Sequence, residues 1–77
     1  MGKYKIVVET TNSKKRAQQQ YNLITKNNIS TNITTYKTDG GELYSVETGP
    51  YSGRKNVLQD VDKIKGLGVV NAFITSA

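Results

Sequence analysis

Tyr4-Lys5-Ile6-Val7-Val8-Glu9 returns forty residues later as Tyr44-Ser45-Val46-Glu47-Thr48-Gly49, with the apolar positions in step. The overlay runs outward through Ala17 over Val57, Tyr21 over Val61, Ile24 over Ile64, Asn28 over Gly68 and Ile33 over Phe73. Each half reads as strand, helix, strand, so the two halves make one small domain with a pseudo-twofold axis. Two helices then stack on one side of a sheet and leave the other side bare. The bare side is where function is expected.

The β-branched run Ile6-Val7-Val8 favours a strand over Tyr4–Glu9. Tyr4, Ile6 and Val8 point to the core, and Lys5, Val7 and Glu9 to the other face. Thr11-Asn12-Ser13 offers N-caps for a helix from Lys14, whose buried stripe is Ala17, Gln20, Tyr21 and Ile24. Lys14, Lys15 and Arg16 crowd its first turn and oppose the macrodipole, at about 0.3–1 kcal/mol each before screening. Asn27-Asn28 closes the helix, Asn28 tolerating a left-handed cap.

A Thr-rich edge strand follows over Thr31–Thr38, its facing open because Ile33 and Tyr36 lie on opposite sides. Asp39-Gly40-Gly41-Glu42 turns the chain into a third strand, Leu43–Thr48. Gly49-Pro50-Tyr51 breaks that strand, since proline has no N–H to give a ladder. Ser52 caps a second helix with Val57, Val61 and Ile64 inward and Leu58 at the margin, and Gly66-Leu67-Gly68 ends it. The last strand, Val69–Thr75, sets Val70, Ala72 and Ile74 against Asn71, Phe73 and Thr75. The order is βαββαβ. Right-handed crossovers and a central hairpin make this an α+β, ferredoxin-like fold: an antiparallel sheet ordered 4-1-3-2 with two helices on one face. Residues 4–77 form the single domain, and residues 1–3 read as an added start to an excised domain.

Seventy-seven residues allow one thin core, which hides only about 60% of the surface the unfolded chain exposes. The absence of cysteine and histidine excludes disulfides, thiol nucleophiles, zinc sites and histidine acid/base catalysis. The serines lack a base, and Glu9 and Glu47 point to opposite ends of the sheet with no cleft around them. The chain therefore reads as no enzyme, with no cofactor. Eleven basic against six acidic residues, net +5, suit anionic polymers such as nucleic acid, teichoic acid or peptidoglycan carboxylates. The plainer reading is a basic surface without a specific partner. No stretch reaches the length of a membrane span, and no signal-peptide core follows Met1.

The open face collects Lys5, Val7 and Glu9, then Leu43, Ser45 and Glu47, then Asn71, Phe73 and Thr75. Pairing about the pseudo-axis sets Val7 near Ser45 and Lys5 near Glu47, an ion pair worth roughly 0.2–1 kcal/mol. Val7, Leu43 and Phe73 form an apolar strip that a flat ligand could use, the alternative being incidental surface hydrophobicity. RNA-recognition modules share this topology but stack bases on aromatics of strands one and three. The equivalent open positions here are Lys5, Val7, Leu43 and Ser45, with Phe73 the single open-face aromatic. A single-stranded nucleic-acid binder is thus an alternative, as is a purely structural or oligomerising domain.

Leu43-Tyr44-Ser45-Val46-Glu47-Thr48-Gly49-Pro50-Tyr51-Ser52, with Val57 eight residues after Gly49, resembles the sporulation-related repeat (SPOR) domain. That bacterial family carries an aromatic-Tyr-Arg-Val-x-Val-Gly-Pro-Phe segment before a helix with an early alanine. Ile6, the Glu9-to-Ala17 spacing and Ile24 match its first half. The resemblance implies a peptidoglycan-binding module that takes glycan strands stripped of stem peptides on its open sheet face. It also implies attachment to an amidase, lytic enzyme or cell-division protein, which it holds at septal or remodelled wall. The location would then be extracytoplasmic, through the parent protein, with the module a monomer. Carried over by position, contacts fall at Val7, Thr10, Leu43, Ser45 and Phe73, to which the open-face reading adds Lys5, Glu47 and Asn71. Val7 stands where the family usually has glutamine, Ser45 where it often has arginine, and Glu9 where it has glycine.

Overall fold

Ile6, Val8 and Val46 are fully or almost fully buried, and they face Ala17, Ile24, Val57, Val61 and Ile64 across a single core. These side chains fix two layers, a sheet and a pair of helices. A computed structural model describes residues 2–77; Met1, part of the stretch read as an added start, lies outside the described residues. The elements are β1 (Lys3–Thr11), α1 (Lys14–Lys26), β2 (Thr31–Thr38), β3 (Gly41–Ser52), α2 (Arg54–Gly66) and β4 (Phe73–Ser76). All neighbours pair antiparallel in the order β2-β3-β1-β4, which is 4-1-3-2 read from the other edge.

The repeat is physical as well as textual. Asn28 (φ 65) and Gly68 (φ 103) both take positive φ just past their helices. Ile29 N donates to Ile24 O, and Val69 N to Ile64 O, each at 3.4 Å. The overlay ends there. Ala72 N bonds back to Val69 O at 3.3 Å, closing a turn where a strand over Val69–Thr75 was expected. Val70 is consequently 69% exposed rather than in the core, and Asn71 lies outside β4. Ile33 and Phe73, matched in the sequence overlay, face opposite sides: Ile33 pairs with Val46, Phe73 with Val7.

Two irregularities between β1 and β3 correct other expectations. The pairing steps from Val7↔Glu47 to Glu9↔Val46, so Val8 is an extra residue and the strand changes phase. Glu9 therefore sits on the helix side, not on the open face. At the other end, Tyr4↔Tyr51 is followed by Ile6↔Thr48, which places the extra residue in β3 around Gly49-Pro50. The proline bulges the strand instead of ending it, and β3 runs on to Ser52. Because Ser52 is held in the ladder opposite Lys3, it cannot cap α2. Gly53 takes the N-cap position with no side-chain bond, whereas Ser13 Oγ caps α1 by accepting from Arg16 N at 3.1 Å.

The proline bulge is tied to α2 by a short network. Tyr51 OH donates to Asp60 Oδ2 at 2.6 Å and lies 2.9 Å from Thr48 Oγ1. Burial, and then the bond to Asp60, push the Tyr51 phenol up to about 12. The folded chain thus holds this proton while the unfolded chain releases it near pH 10. Its stabilisation is whole below the unfolded value and disappears as pH rises from 10 to 12. Tyr51→Phe is expected to cost about 1 kcal/mol at neutral pH. The gap between wild type and Tyr51→Phe should close by roughly 1 kcal/mol over that alkaline window, a figure discounted for the ring's partial exposure. Thermal melts of both proteins across the window check this, and a gap independent of pH would count against the network.

Candidate functional site

The open face is a small lattice whose rows follow from register. One row is Phe73, Val7, Glu47 and Asn32, running from β4 to β2. The next is Thr10, Ser45 and Thr34, and beyond it Leu43 pairs with Tyr36. On the other side of the first row, Thr75 pairs with Lys5. Thr10 reaches this face only because the Val8 bulge advances β1 by one residue.

This arrangement replaces the apolar strip expected from the sequence. Val7 and Phe73 are direct neighbours, but Leu43 is separated from them by the hydroxyl row. Leu43 instead adjoins Tyr36, a second open-face aromatic that the sequence left unassigned. Tyr36 is 47% exposed and Phe73 53%. They stand on the outer strands, so β1 and β3 still carry no aromatic at the positions an RNA-recognition module uses. The face thus has two apolar ends and a band of hydroxyls between them.

Glu47 lies in the middle. Val7 and Asn32 flank it in register, and it is 7% exposed. The pairing of Val7 with Ser45 expected from the pseudo-axis does not occur; Thr10 pairs with Ser45 and Val7 with Glu47. The Lys5–Glu47 ion pair does form, diagonally, with Lys5 Nζ 3.2 Å from Glu47 Oε1. Among the described residues Glu47 Oε2 accepts no hydrogen bond. The centre of the face therefore presents a charge-compensated carboxylate with one acceptor to spare.

Glu9 has a different task. Arg16 Nε donates to both its oxygens at 3.1 and 3.0 Å, and Gln20 Nε2 donates to Oε1 at 2.9 Å. These bonds tie the β1 bulge to α1. Glu9 and Glu47 point to opposite sides of the sheet, which separates them as a carboxylate pair more completely than opposite ends of one face would.

Four candidate residues, Val7, Thr10, Asn71 and Phe73, line an open hollow of about 530 Å³ beside the bulge. It exists because β4 pairs only with Tyr4–Val7 and leaves the rest of β1 without a neighbour on that side. Lys5 and Glu47 line a second hollow of about 240 Å³ with Asn32 and Gly49-Pro50. Leu43 and Ser45 lie on the lattice outside both. Asn32, Thr34 and Tyr36 were missed because β2 had no assigned facing. The usable signal was Ile33, the one aliphatic residue of that strand, whose inward side sends its neighbours outward. No group of His, Cys, Asp or Glu among the described residues is arranged to hold a metal. Among the described residues no helix is long and apolar enough to cross a membrane.

Comparison with known proteins agrees with this architecture. The SPOR domain of RlpA from Pseudomonas aeruginosa has a TM-score of 0.81 at 16% identity, over 96% of this chain and 97% of that one. The peptidoglycan-binding domain of the B. subtilis cell wall lytic enzyme CwlC has a TM-score of 0.73 at 21% identity, over 100% of this chain and 91% of that one. No curated protein matches the chain. The family model for the SPOR domain matches residues 1–76, and the chain belongs to the SPOR domain family.

Proposed function

We propose that the chain is a non-catalytic module that binds peptidoglycan glycan strands on its open sheet face. It would hold an attached wall enzyme or division protein at septal or remodelled wall, outside the cytoplasm. The observation that carries the reading is the hydroxyl row Thr10-Ser45-Thr34, set between the apolar ends Val7/Phe73 and Leu43/Tyr36. A sugar chain alternates apolar ring faces with hydroxyl and amide edges, and this face offers both in alternation. Glu47 Oε2 adds a strong acceptor at the centre. Thr10, Ser45 and Glu47 would take over the hydrogen bonding that glutamine and arginine supply at the Val7 and Ser45 positions elsewhere in the family. Family membership and the peptidoglycan-binding domain of CwlC as a fold relative support the choice of polymer.

The direct test is co-sedimentation with sacculi whose stem peptides have been removed by amidase. The domain should pellet with them, and Phe73→Ala should lower the affinity about fivefold, for roughly 1 kcal/mol of lost ring contact. Because Lys5 and Glu47 compensate each other, affinity should change less than about twofold between about 50 and 200 mM salt; a nucleic-acid binder would fall steeply there. Failure to pellet, under conditions where an established wall-binding module does, would reject the reading.

A further inference from the structure

The net charge of +5 is segregated by layer. α1 and α2 together hold eight cations against the two carboxylates Asp60 and Asp62, a net +6, which leaves −1 for everything else. Arg16 is committed to Glu9, and Lys63 donates to the Asn27 carbonyl at 3.1 Å. Lys14, Lys15 and Lys26 on α1, with Arg54, Lys55 and Lys65 on α2, are exposed and without an ion pair among the described residues. They lie on the layer opposite the open sheet face, whose central pair, Lys5 and Glu47, is self-neutralised.

We propose that the helix layer is a second binding surface, for a linear phosphodiester polymer without bases, such as a glycerol-phosphate chain. The surface is separate from the glycan reading and stands or falls without it.

Three features select this partner. Lys15 and Lys26 are eleven residues apart on α1, and Lys55 and Lys65 ten apart on α2, which places their backbones roughly 15–17 Å apart along each helix. No single small anion spans that distance, but an extended polymer does. Five of the six unpaired cations are lysines, point charges that suit one diffuse negative charge per repeat rather than forked recognition. Leu58 is the one strongly exposed large apolar residue on the helices, while Tyr36, Val70 and Phe73 lie elsewhere. Tyr21, the one ring on the helices, is packed against the core, so the layer offers neither an exposed ring to stack bases nor the apolar wedge that enters a bilayer. The helix layer and the open sheet face lie on opposite sides of the core, so a ligand on one leaves the other accessible.

Fluorescence anisotropy with labelled poly(glycerol phosphate) tests the proposal. Neutralising four phosphates predicts an affinity that falls roughly 50- to 100-fold between about 50 and 200 mM salt. The fourfold variant Lys15→Gln, Lys26→Gln, Lys55→Gln, Lys65→Gln should bind at least about tenfold more weakly with a shallower salt slope, and arginine at the same four positions should restore binding. Lys3→Gln with Lys37→Gln, off the helices, should change affinity less than about twofold. The proposal is overturned if that pair weakens binding as much as the helix variant. It is also overturned if a single-stranded oligonucleotide of equal charge, or vesicles of anionic lipid, bind more tightly than the base-free polymer.

Discussion

Gly49→Ala is expected to destabilise the domain by about 3 kcal/mol, out of a total on the order of 4–12 kcal/mol for a chain of this size. Gly49 has φ +116, a conformation L side chains rarely adopt, and holding one there costs roughly 1–3 kcal/mol. The new methyl would also meet Tyr4 O at 3.1 Å, Tyr51 Cδ2 at 3.2 Å and Lys5 Cα at 3.3 Å. Two of those atoms are backbone of the central strand β1, which cannot retreat without opening the β1–β3 ladder. Gly53 is the matched control: φ is +102, but nothing lies within 4 Å of the added methyl. Gly53→Ala should therefore cost only the strain, about 1–2 kcal/mol. Urea midpoints of the two variants decide the matter. Equal destabilisation would mean that the close approach at the proline bulge contributes nothing.

Glu47→Ala should weaken glycan binding about 10- to 100-fold while leaving the domain folded. A hydrogen bond to a charged acceptor contributes roughly 1.5–3 kcal/mol when its partner is shielded from water. Glu47 Oε2 is such an acceptor, on a residue 7% exposed and flanked in register by Val7 and Asn32. The fold loses only the diagonal pair with Lys5, about 0.2–1 kcal/mol, and the Lys5 side chain, 30% exposed, can turn to solvent. Lys5→Gln separates the two roles. It removes the ion pair but leaves the carboxylate, so binding should fall far less than in Glu47→Ala. Titration calorimetry with a purified stem-free glycan measures both, and equal losses would assign Glu47 to sheet structure rather than to ligand.

Element order, strand order and the core could be read from the residues because each rests on local periodicity. Ile6 and Val8, or Val57, Val61 and Ile64, are spaced for one secondary structure and no other. The composition of the open face was harder to read, because it depends on register, a property of strand pairs. Glu9 and Thr10 look equally suited to solvent, and only the bulge at Val8 decides which of them turns to the helices. β2 is nearly uniform in threonine, which favours a strand without favouring a side. At Val69 and Val70 the β-branched residues predict a strand, but the left-handed Gly68 and the bond from Ala72 N to Val69 O commit them to a turn. Lys5, Ser45 and Glu47 alternate with the core residues Ile6 and Val46 and fall on the expected face, while Asn71, in the turn before β4, falls off the sheet.

The bulge at Val8 works like a frameshift in three dimensions. Upstream of it odd-numbered residues of β1 face outward; downstream the even-numbered Thr10 does. With Val8 paired in regular alternation the strand would keep its period, bringing the acid of Glu9 to the outer surface and burying the Thr10 hydroxyl in its place. Two members of this family could thus share every residue of this strand, differ only in whether it bulges, and offer a ligand opposite chemistry at the same spot. Alignments that place a gap freely in this strand will match residues that never occupy the same side of the sheet.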